Sequence, residues 1–278
     1  MVFVVAAYYN EVEHERKFIA KGQAAMNEKQ LKQFNEEGYF IIENLFSAQE
    51  MDELTAQIDH YVDEHNEKLK SAGQTKDGVS RANEIMFTPH LVKKNALFQQ
   101  FCAHPNFVDL TTPILGGNVS LFWDQAVYKH PETAKDFPWH QDNGYGLVLS
   151  EEYVTCWLAL EDATIENGCI WVMPRTHKDG IVEHQKTPIG WQCYFGDDPG
   201  IPVELKKGSM VVFSSLLFHR SGPNVSNSVR KGYILQYIPS GVKNIKTGAT
   251  FKKMIIAKNG EAALDTSMLE GQDHNAAV

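Results

Sequence analysis

Residues 137–144 read Phe-Pro-Trp-His-Gln-Asp-Asn-Gly. Aromatic residues favour extended chain, and the Asn143-Gly144 pair is a strong turn signal. The segment 136–142 therefore reads as a strand that ends in a turn. On a strand, residues two apart point to the same face, so His140 and Asp142 can reach one metal ion. On a helix, positions two apart diverge. Whether this His-x-Asp pair carries chemistry depends on whether the surrounding chain is a β-scaffold.

Working outward, the texture from about residue 118 is that of an all-β unit. Runs rich in β-branched and aromatic residues predict strands near 119–129, 136–142, 153–160, 169–173, 203–206, 209–213, 217–221 and 231–238. Turn signals fall at Asn143-Gly144, Asn167-Gly168, Asp179-Gly180, Lys207-Gly208 and Ser221-Gly222-Pro223. About eight strands suffice for a jelly roll. Residues 181–202 read as an insertion between strands. Upstream the pattern is helical. Asn27 with Gln30 caps a helix over 27–38 that Gly38 ends, and Tyr39-Phe40-Ile41-Ile42 is a β-prone run. Ser47 with Glu50 caps a second helix carrying Met51, Leu54, Ile58, Tyr61 and Val62 on one face. A polar loop over 71–84 and a helical stretch from about 91 to 110, interrupted near Pro105, follow. The expected architecture is mainly β with flanking helices, a double-stranded β-helix (jelly roll) with an N-terminal helical layer. It divides into an extension over 1–26, one domain over 27–258 (helical to about 117, jelly-roll core about 118–240) and a polar tail over 259–278 expected to fray.

Three other His-x-acid pairs compete with the first. His65-Asn66-Glu67 falls in the second predicted helix, His130-Pro131-Glu132 is broken by proline, and His177-Lys178-Asp179 abuts Gly180 in a polar turn. Only His140-x-Asp142 has an apolar β-run leading into it. Downstream, His219 follows the runs Met210–Phe213 and Leu216–Phe218, which place it on the sheet. Two His and one carboxylate on one face of an octahedron is the ligand set of a mononuclear non-haem iron(II) site, with the remaining positions open. Arg230 lies 230 − 219 = 11 residues beyond His219. A hairpin of that length returns a guanidinium beside the metal, where its two-pronged donor geometry suits the distal carboxylate of a keto acid.

Composition narrows the partners. The 278 residues carry a net charge of −9 without a Lys/Arg cluster, which argues against a nucleic-acid partner. Cys102, Cys156, Cys169 and Cys193 are scattered without CxxC spacing, the pattern of buried reduced thiols in a cytoplasmic protein. The apolar opening Met1–Tyr9 is short and lacks a basic flank, and no later run reaches the roughly 18 apolar residues of a membrane span. The expectation is a soluble cytoplasmic monomer or homodimer acting on a small molecule, away from membranes.

Several motifs together resemble the phytanoyl-CoA dioxygenase family over about residues 27–240. Residues 33–44 (Gln-Phe-Asn-Glu-Glu-Gly-Tyr-Phe-Ile-Ile-Glu-Asn) are similar to the family's opening helix and strand, and Trp139-His140-Gln141-Asp142 to its iron motif. Trp157–Asp162 with Glu166–Ile170 is similar to its central strands, and Lys207–Phe213 leading to His219–Asn224 and Arg230 to its distal motif. The resemblance implies iron(II), with 2-oxoglutarate and O2 as cosubstrates. It implies that His140, Asp142 and His219 hold the metal, that Arg230 and Ser221 grip the 5-carboxylate of 2-oxoglutarate, and that Gln125, Lys129 and Trp157 line the cosubstrate. Related halogenases replace the carboxylate ligand with a small residue, so Asp142 points to oxygenation. One departure stands out: the family's Pro-Gly-Ser-His turn reads Pro174-Arg175-Thr176-His177 here. Arg81, Trp139, Asn143, Tyr145 and Trp191 are the candidate substrate contacts. A small metabolite or natural-product intermediate is the expected substrate, in preference to an acyl-CoA. The rival readings are a cupin-like metalloenzyme that needs no keto acid, and a non-catalytic binding protein on the same scaffold.

Overall fold

The structure, a computed structural model, describes residues 26–81, 84–131, 135–144, 152–245 and 247–269. Its helices are α1 (Glu28–Glu37), α2 (Ala48–Ser71), α3 (Ala96–Cys102) and α4 (Pro105–Leu115). Its strands are β1 (Tyr39–Ile42), β2 (Lys76–Asp77), β3 (Ser80–Arg81), β4 (Ile85–Pro89), β5 (Val119–Lys129), β6 (Phe137–His140), β7 (Val154–Ala159) and β8 (Ile170–Met173). They continue as β9 (Gln185–Thr187), β10 (Gly190–Gln192), β11 (Ile201–Val203), β12 (Met210–Ser214), β13 (Phe218–Ser221), β14 (Arg230–Pro239), β15 (Ile255–Lys258) and β16 (Glu261–Asp265).

Strand alternation sorts the side chains into two interiors. The major sheet runs β1-β12-β7-β14-β5-β4-β3-β2, with β15 pairing β5 and β16. On one face, Val154, Cys156 and Leu158 of β7 meet Tyr233, Leu235 and Tyr237 of β14 and Met210 and Val212 of β12. The helices cover this face with Phe34, Met51, Leu54, Phe98, Phe101 and Phe107. On the other face, Trp157, Ala159, Val211 and Phe213 pack with Ile170 and Val172 of the four-stranded minor sheet β11-β8-β13-β6. The two antiparallel sheets form the jelly roll, and the functional side chains lie between them.

The capping signals are realised in detail. Asn27 Oδ1 accepts from Gln30 N at 2.9 Å and Gln30 Oε1 accepts from Asn27 N at 3.0 Å, and Ser47 with Glu50 repeats the pattern. The helical stretch is interrupted before Pro105 as expected: α3 ends at Cys102 and Pro105 opens α4, because the first helical position needs no N–H. The expected polar loop contains the small hairpin β2–β3, although Ala82 and Asn83 lie outside the described residues. The tail differs from expectation. After a turn at Asn259-Gly260, both with positive φ, β16 pairs back on β15 and extends the major sheet past residue 240. That Asn-Gly pair was a readable hairpin signal.

Candidate metal centre and its cavity

The His-x-Asp pair is not presented by strand periodicity. β6 ends at His140, and Asp142 opens a 3-10 turn over Asp142–Gly144, so the turn folds the carboxylate back toward the sheet. The register of β6 on β13 is also irregular: His219 faces His140, whereas Ser221 faces Phe137, so two residues of β6, Pro138 and Trp139, oppose the single Arg220 of β13. A bulge of this kind re-aims side chains. Phe137 and His140 both line the central cavity, while Trp139 turns outward among Met173, Tyr194 and Phe218.

His140 Nε2 lies 3.8 Å and His219 Nε2 3.4 Å from Asp142 Oδ1, with the imidazole centroids 4.1 Å apart. One ligand atom from each residue falls within 4.8 Å of the others, and among the described residues this is the one such group of His, Cys, Asp and Glu. Each imidazole is oriented by its own backbone. His140 Nδ1 is 2.8 Å from Pro138 O and His219 Nδ1 is 3.0 Å from Leu217 O. A carbonyl only accepts, so Nδ1 carries the proton and Nε2 presents its lone pair. Asp142 is divided in the same way. Its Oδ2 accepts from Thr155 Oγ1 at 2.5 Å and Gln236 Nε2 at 3.0 Å, which leaves Oδ1 facing the histidines.

Electrostatics match that division. Burial and the neighbouring His219 push His140 down to about 3, so it is neutral at physiological pH. Burial works against the charged form of Asp142, but the two imidazoles and Thr155 hold it at about 2. An imidazole nitrogen from each histidine and one anionic carboxylate oxygen form a donor set suited to a divalent first-row metal. Between the two ligands, Gln141 is fully buried. Its amide donates to Gly180 O at 2.8 Å and Leu216 O at 2.7 Å and accepts from Val182 N at 2.9 Å, locking the turn to the 180–184 segment.

Beyond the triad, Gln125, Trp157, Ser221 and Arg230 line the same cavity. Arg230 is 1% exposed, its Nε and Nη1 have no hydrogen-bond partner, and its guanidinium lies 5.2 Å from the Trp157 ring centroid. Gly232, two residues on along β14, makes this possible, since a Cβ there would strike the Trp157 ring. An orphaned buried guanidinium is energetically costly and calls for an anion.

Comparisons with known proteins agree with this geometry. The family model for phytanoyl-CoA dioxygenase matches residues 34–232. The chain belongs to the phytanoyl-CoA dioxygenase family. Rat peroxisomal phytanoyl-CoA dioxygenase is 26% identical over 248 residues, covering 82% of this chain and 72% of the relative. Phytanoyl-CoA dioxygenase of Arabidopsis thaliana is 26% identical over 256 residues, covering 76% and 88%. Among solved structures, the non-heme alpha-ketoglutarate-dependent carbocyclase SnoK from nogalamycin biosynthesis superposes with a TM-score of 0.61 at 18% identity, covering 81% of this chain and 88% of that one. EvdO2 from Micromonospora carbonacea, complexed with 2-oxoglutarate, gives 0.63 at 17%, covering 81% and 96%. Membership makes this chain a dioxygenase of the iron(II)/2-oxoglutarate class.

For this family member, the remaining expected contacts divide. Asn143 lines the cavity. Lys129 does not: its ammonium points behind the cavity wall, to Ser221 and Gly222. Arg81 is also turned away, because its guanidinium donates to Gly78 O at 2.8 Å, Ser80 O at 2.9 Å and Pro188 O, and Val79 lines the cavity instead. Trp139 faces an outer depression with Pro188 and Gln192, and Trp191 sits in the β9–β10 hairpin, neither on the cavity. Tyr145 lies outside the described residues. The sequence reading missed Thr155 and Gln236, which hold Asp142, although each lies an even number of residues from Trp157 or Arg230 on the same strand. It also missed Phe87, Phe122, Phe137 and Tyr153, which wall the cavity together with Trp123.

The family's missing turn glycine is accommodated. Arg175 adopts φ 72°, a left-handed conformation that glycine takes without strain. Glu37 holds it there, accepting from Arg175 Nη2 at 2.9 Å, while Arg175 N donates to Glu37 O at 3.0 Å. Of the decoy histidines, neither His65 nor His177 lines the cavity, and Glu132 lies outside the described residues. His65 bonds Asp77 and Thr88 from α2, and His177 sits in the 3-10 turn Thr176–Asp179.

Proposed function

We propose that this dioxygenase inserts oxygen into a C–H bond of a small, largely apolar molecule: R–H, O2 and 2-oxoglutarate give R–OH, succinate and CO2. His140, Asp142 and His219 would hold iron(II), and Arg230 with Ser221 would grip the 5-carboxylate of 2-oxoglutarate, with Gln125 and Trp157 beside it. Bound iron supplies the oxygen activation, with the keto acid as reductant. The chain's own part is to orient both reactants and to keep the reacting C–H group in a cavity screened from water.

The observation that carries this reading is Arg230, a buried guanidinium with two unpartnered nitrogens on the cavity that also holds the His-Asp-His group. A metalloenzyme that needs no keto acid has no use for such a cation. The aromatic wall supports an apolar substrate, stacked against Phe122, Trp123 and Phe137. The four free thiols, three of them buried, support a reducing compartment such as the cytoplasm. Among the described residues no helix is long and apolar enough to cross a membrane.

The test is a screen of small molecules for iron-dependent conversion of 2-oxoglutarate to succinate, with product mass read alongside. A gain of one oxygen per succinate is expected for a true substrate. Product formation in the absence of 2-oxoglutarate would overturn the proposal.

A further inference from the structure

Two buried cations face each other at one end of the cavity. Lys129 on β5 pairs in register with Arg230 on β14, and each is 1% exposed. Like charges directly opposite on neighbouring strands repel, and burying each carries a desolvation cost. Among the described residues, no carboxylate lies within ion-pair distance of either. The two are nevertheless committed differently. Arg230 faces the cavity with Nε and Nη1 unpartnered. Lys129 Nζ already has three acceptors: Ser221 Oγ at 3.3 Å, Ser221 O at 3.4 Å and Gly222 O.

An ammonium donates three hydrogens and accepts none. Ser221 Oγ must therefore accept from Lys129, and its own hydrogen is left to point elsewhere. Ser221 lines the cavity beside Arg230, so the cavity is where that hydrogen finds an acceptor. We infer that Lys129 is a positioning residue for the keto acid: it fixes the Ser221 hydroxyl as a donor into the cavity, next to the Arg230 guanidinium, for the distal carboxylate. The inference rests on the proposed seat of that carboxylate. Lys129 thus acts through Ser221 and does not itself touch the cosubstrate.

The surroundings leave the lysine little slack. Asn224 Nδ2 donates to Lys129 O at 3.0 Å and to Ser228 O at 2.8 Å, tying the β13–β14 connection to β5. Gly168 packs so closely that a Cβ there would come within 3.1 Å of Lys129 Cδ and 3.0 Å of Pro223 O. Burial, and then the Arg230 charge, bring the Lys129 amine down to about 7, with Arg220 on β13 lowering it further and Asp136 before β6 opposing. A carboxylate arriving nearby restores its affinity for a proton. Binding of 2-oxoglutarate above neutral pH is therefore coupled to proton uptake.

The experiment is calorimetric titration of the anaerobic, iron(II)-loaded protein, with no substrate present. The ligands are 2-oxoglutarate and 2-oxopentanoate, which lacks the distal carboxylate. Lys129→Met and Ser221→Ala should each weaken 2-oxoglutarate binding about 10- to 100-fold, the range of one hydrogen bond to a charged group. The double variant should be no weaker than the weaker single, Lys129→Arg should recover part of the affinity, and 2-oxopentanoate should bind all forms alike. At pH 8, wild-type protein in two buffers of different ionisation enthalpy should take up protons with 2-oxoglutarate and not with 2-oxopentanoate, a readout that needs no variant. Additive losses, equal weakening of both ligands, unchanged affinity in Lys129→Met, or equal proton uptake would each overturn the inference. Arg230→Met is the separate control: if it binds 2-oxoglutarate as tightly as wild type, the proposed carboxylate seat is wrong, whatever Lys129 does.

Discussion

The major sheet has two faces made by the same strands, and they are built on different principles. On the helix side, Cys156, Leu158, Leu235 and Val212 belong to one continuous apolar cluster, and any one of them is replaceable by something of similar shape. On the cavity side, the alternate residues Thr155, Trp157, Arg230, Ile234 and Gln236 include polar groups that bond Asp142 and each other, or, in Arg230, nitrogens with no partner. Dispersion contacts are many and small, whereas a buried charge or ligand atom is one large term. The two faces should therefore fail differently: the helix side by loss of stability with chemistry intact, the cavity side by loss of chemistry with the fold intact.

The largest effect is expected from Asp142→Ala. Iron-dependent succinate formation should fall by roughly 1,000-fold or more, because two neutral imidazoles alone hold a divalent ion poorly. Bound iron should fall with it while the melting temperature stays close to wild type; full activity would remove Asp142 from the ligand set. Arg230→Met should raise the 2-oxoglutarate concentration needed for half-maximal turnover by roughly 100-fold, within the range for truncating one partner of a buried charge pair. Iron content measured on the same sample should be unchanged.

Leu235→Ala tests the other face. It should lower the unfolding free energy by about 2–5 kcal/mol in denaturant titration, and leave 2-oxoglutarate affinity as it was. A changed affinity would show that the faces are coupled. Asp124 is a buried carboxylate on the helix side. It accepts from Val92 N and Tyr233 OH, each at 3.0 Å, with Oδ1 buried and unpartnered, and burial lifts its carboxyl to about 6. Since the folded state holds the proton more tightly than the unfolded chain, this stabilisation is complete below about pH 4 and is lost as pH rises through 6. Stability measured at pH 4.5 and 6.5 should show that contribution, and Asp124→Asn should abolish it. The smallest effect belongs to Arg175→Gly at the surface. Relief of left-handed strain and loss of the Glu37 pair oppose each other, so the melting temperature should move by no more than about 3 °C.

How much of this was readable in advance differs from one element to the next. β5 was predicted over 119–129 and spans Val119–Lys129, because it is rich in β-branched and aromatic residues and a glycine pair precedes it. Both capping boxes were read correctly because their hydrogen bonds are local, closing over three residues. The weak points were positions set by distant partners. Lys129 read as a cavity residue, but its three acceptors lie 92 and 93 residues away. Arg81 read as a substrate contact, but it donates to a carbonyl 107 residues distant.

The opening octapeptide shows both limits. The sequence by itself determined that a strand carrying His140 runs into a turn at Asn143-Gly144 and that His219 follows a second β-run, because β-prone runs and turn chemistry act over a few residues. Only the tertiary structure decided how they meet. The 3-10 turn brings Asp142 back, a bulge against β13 swings Phe137 and His140 to one side, and Thr155 and Gln236 leave one carboxylate oxygen free. Register and bulges arise from pairing between strands far apart in the chain, and no local pattern contains them.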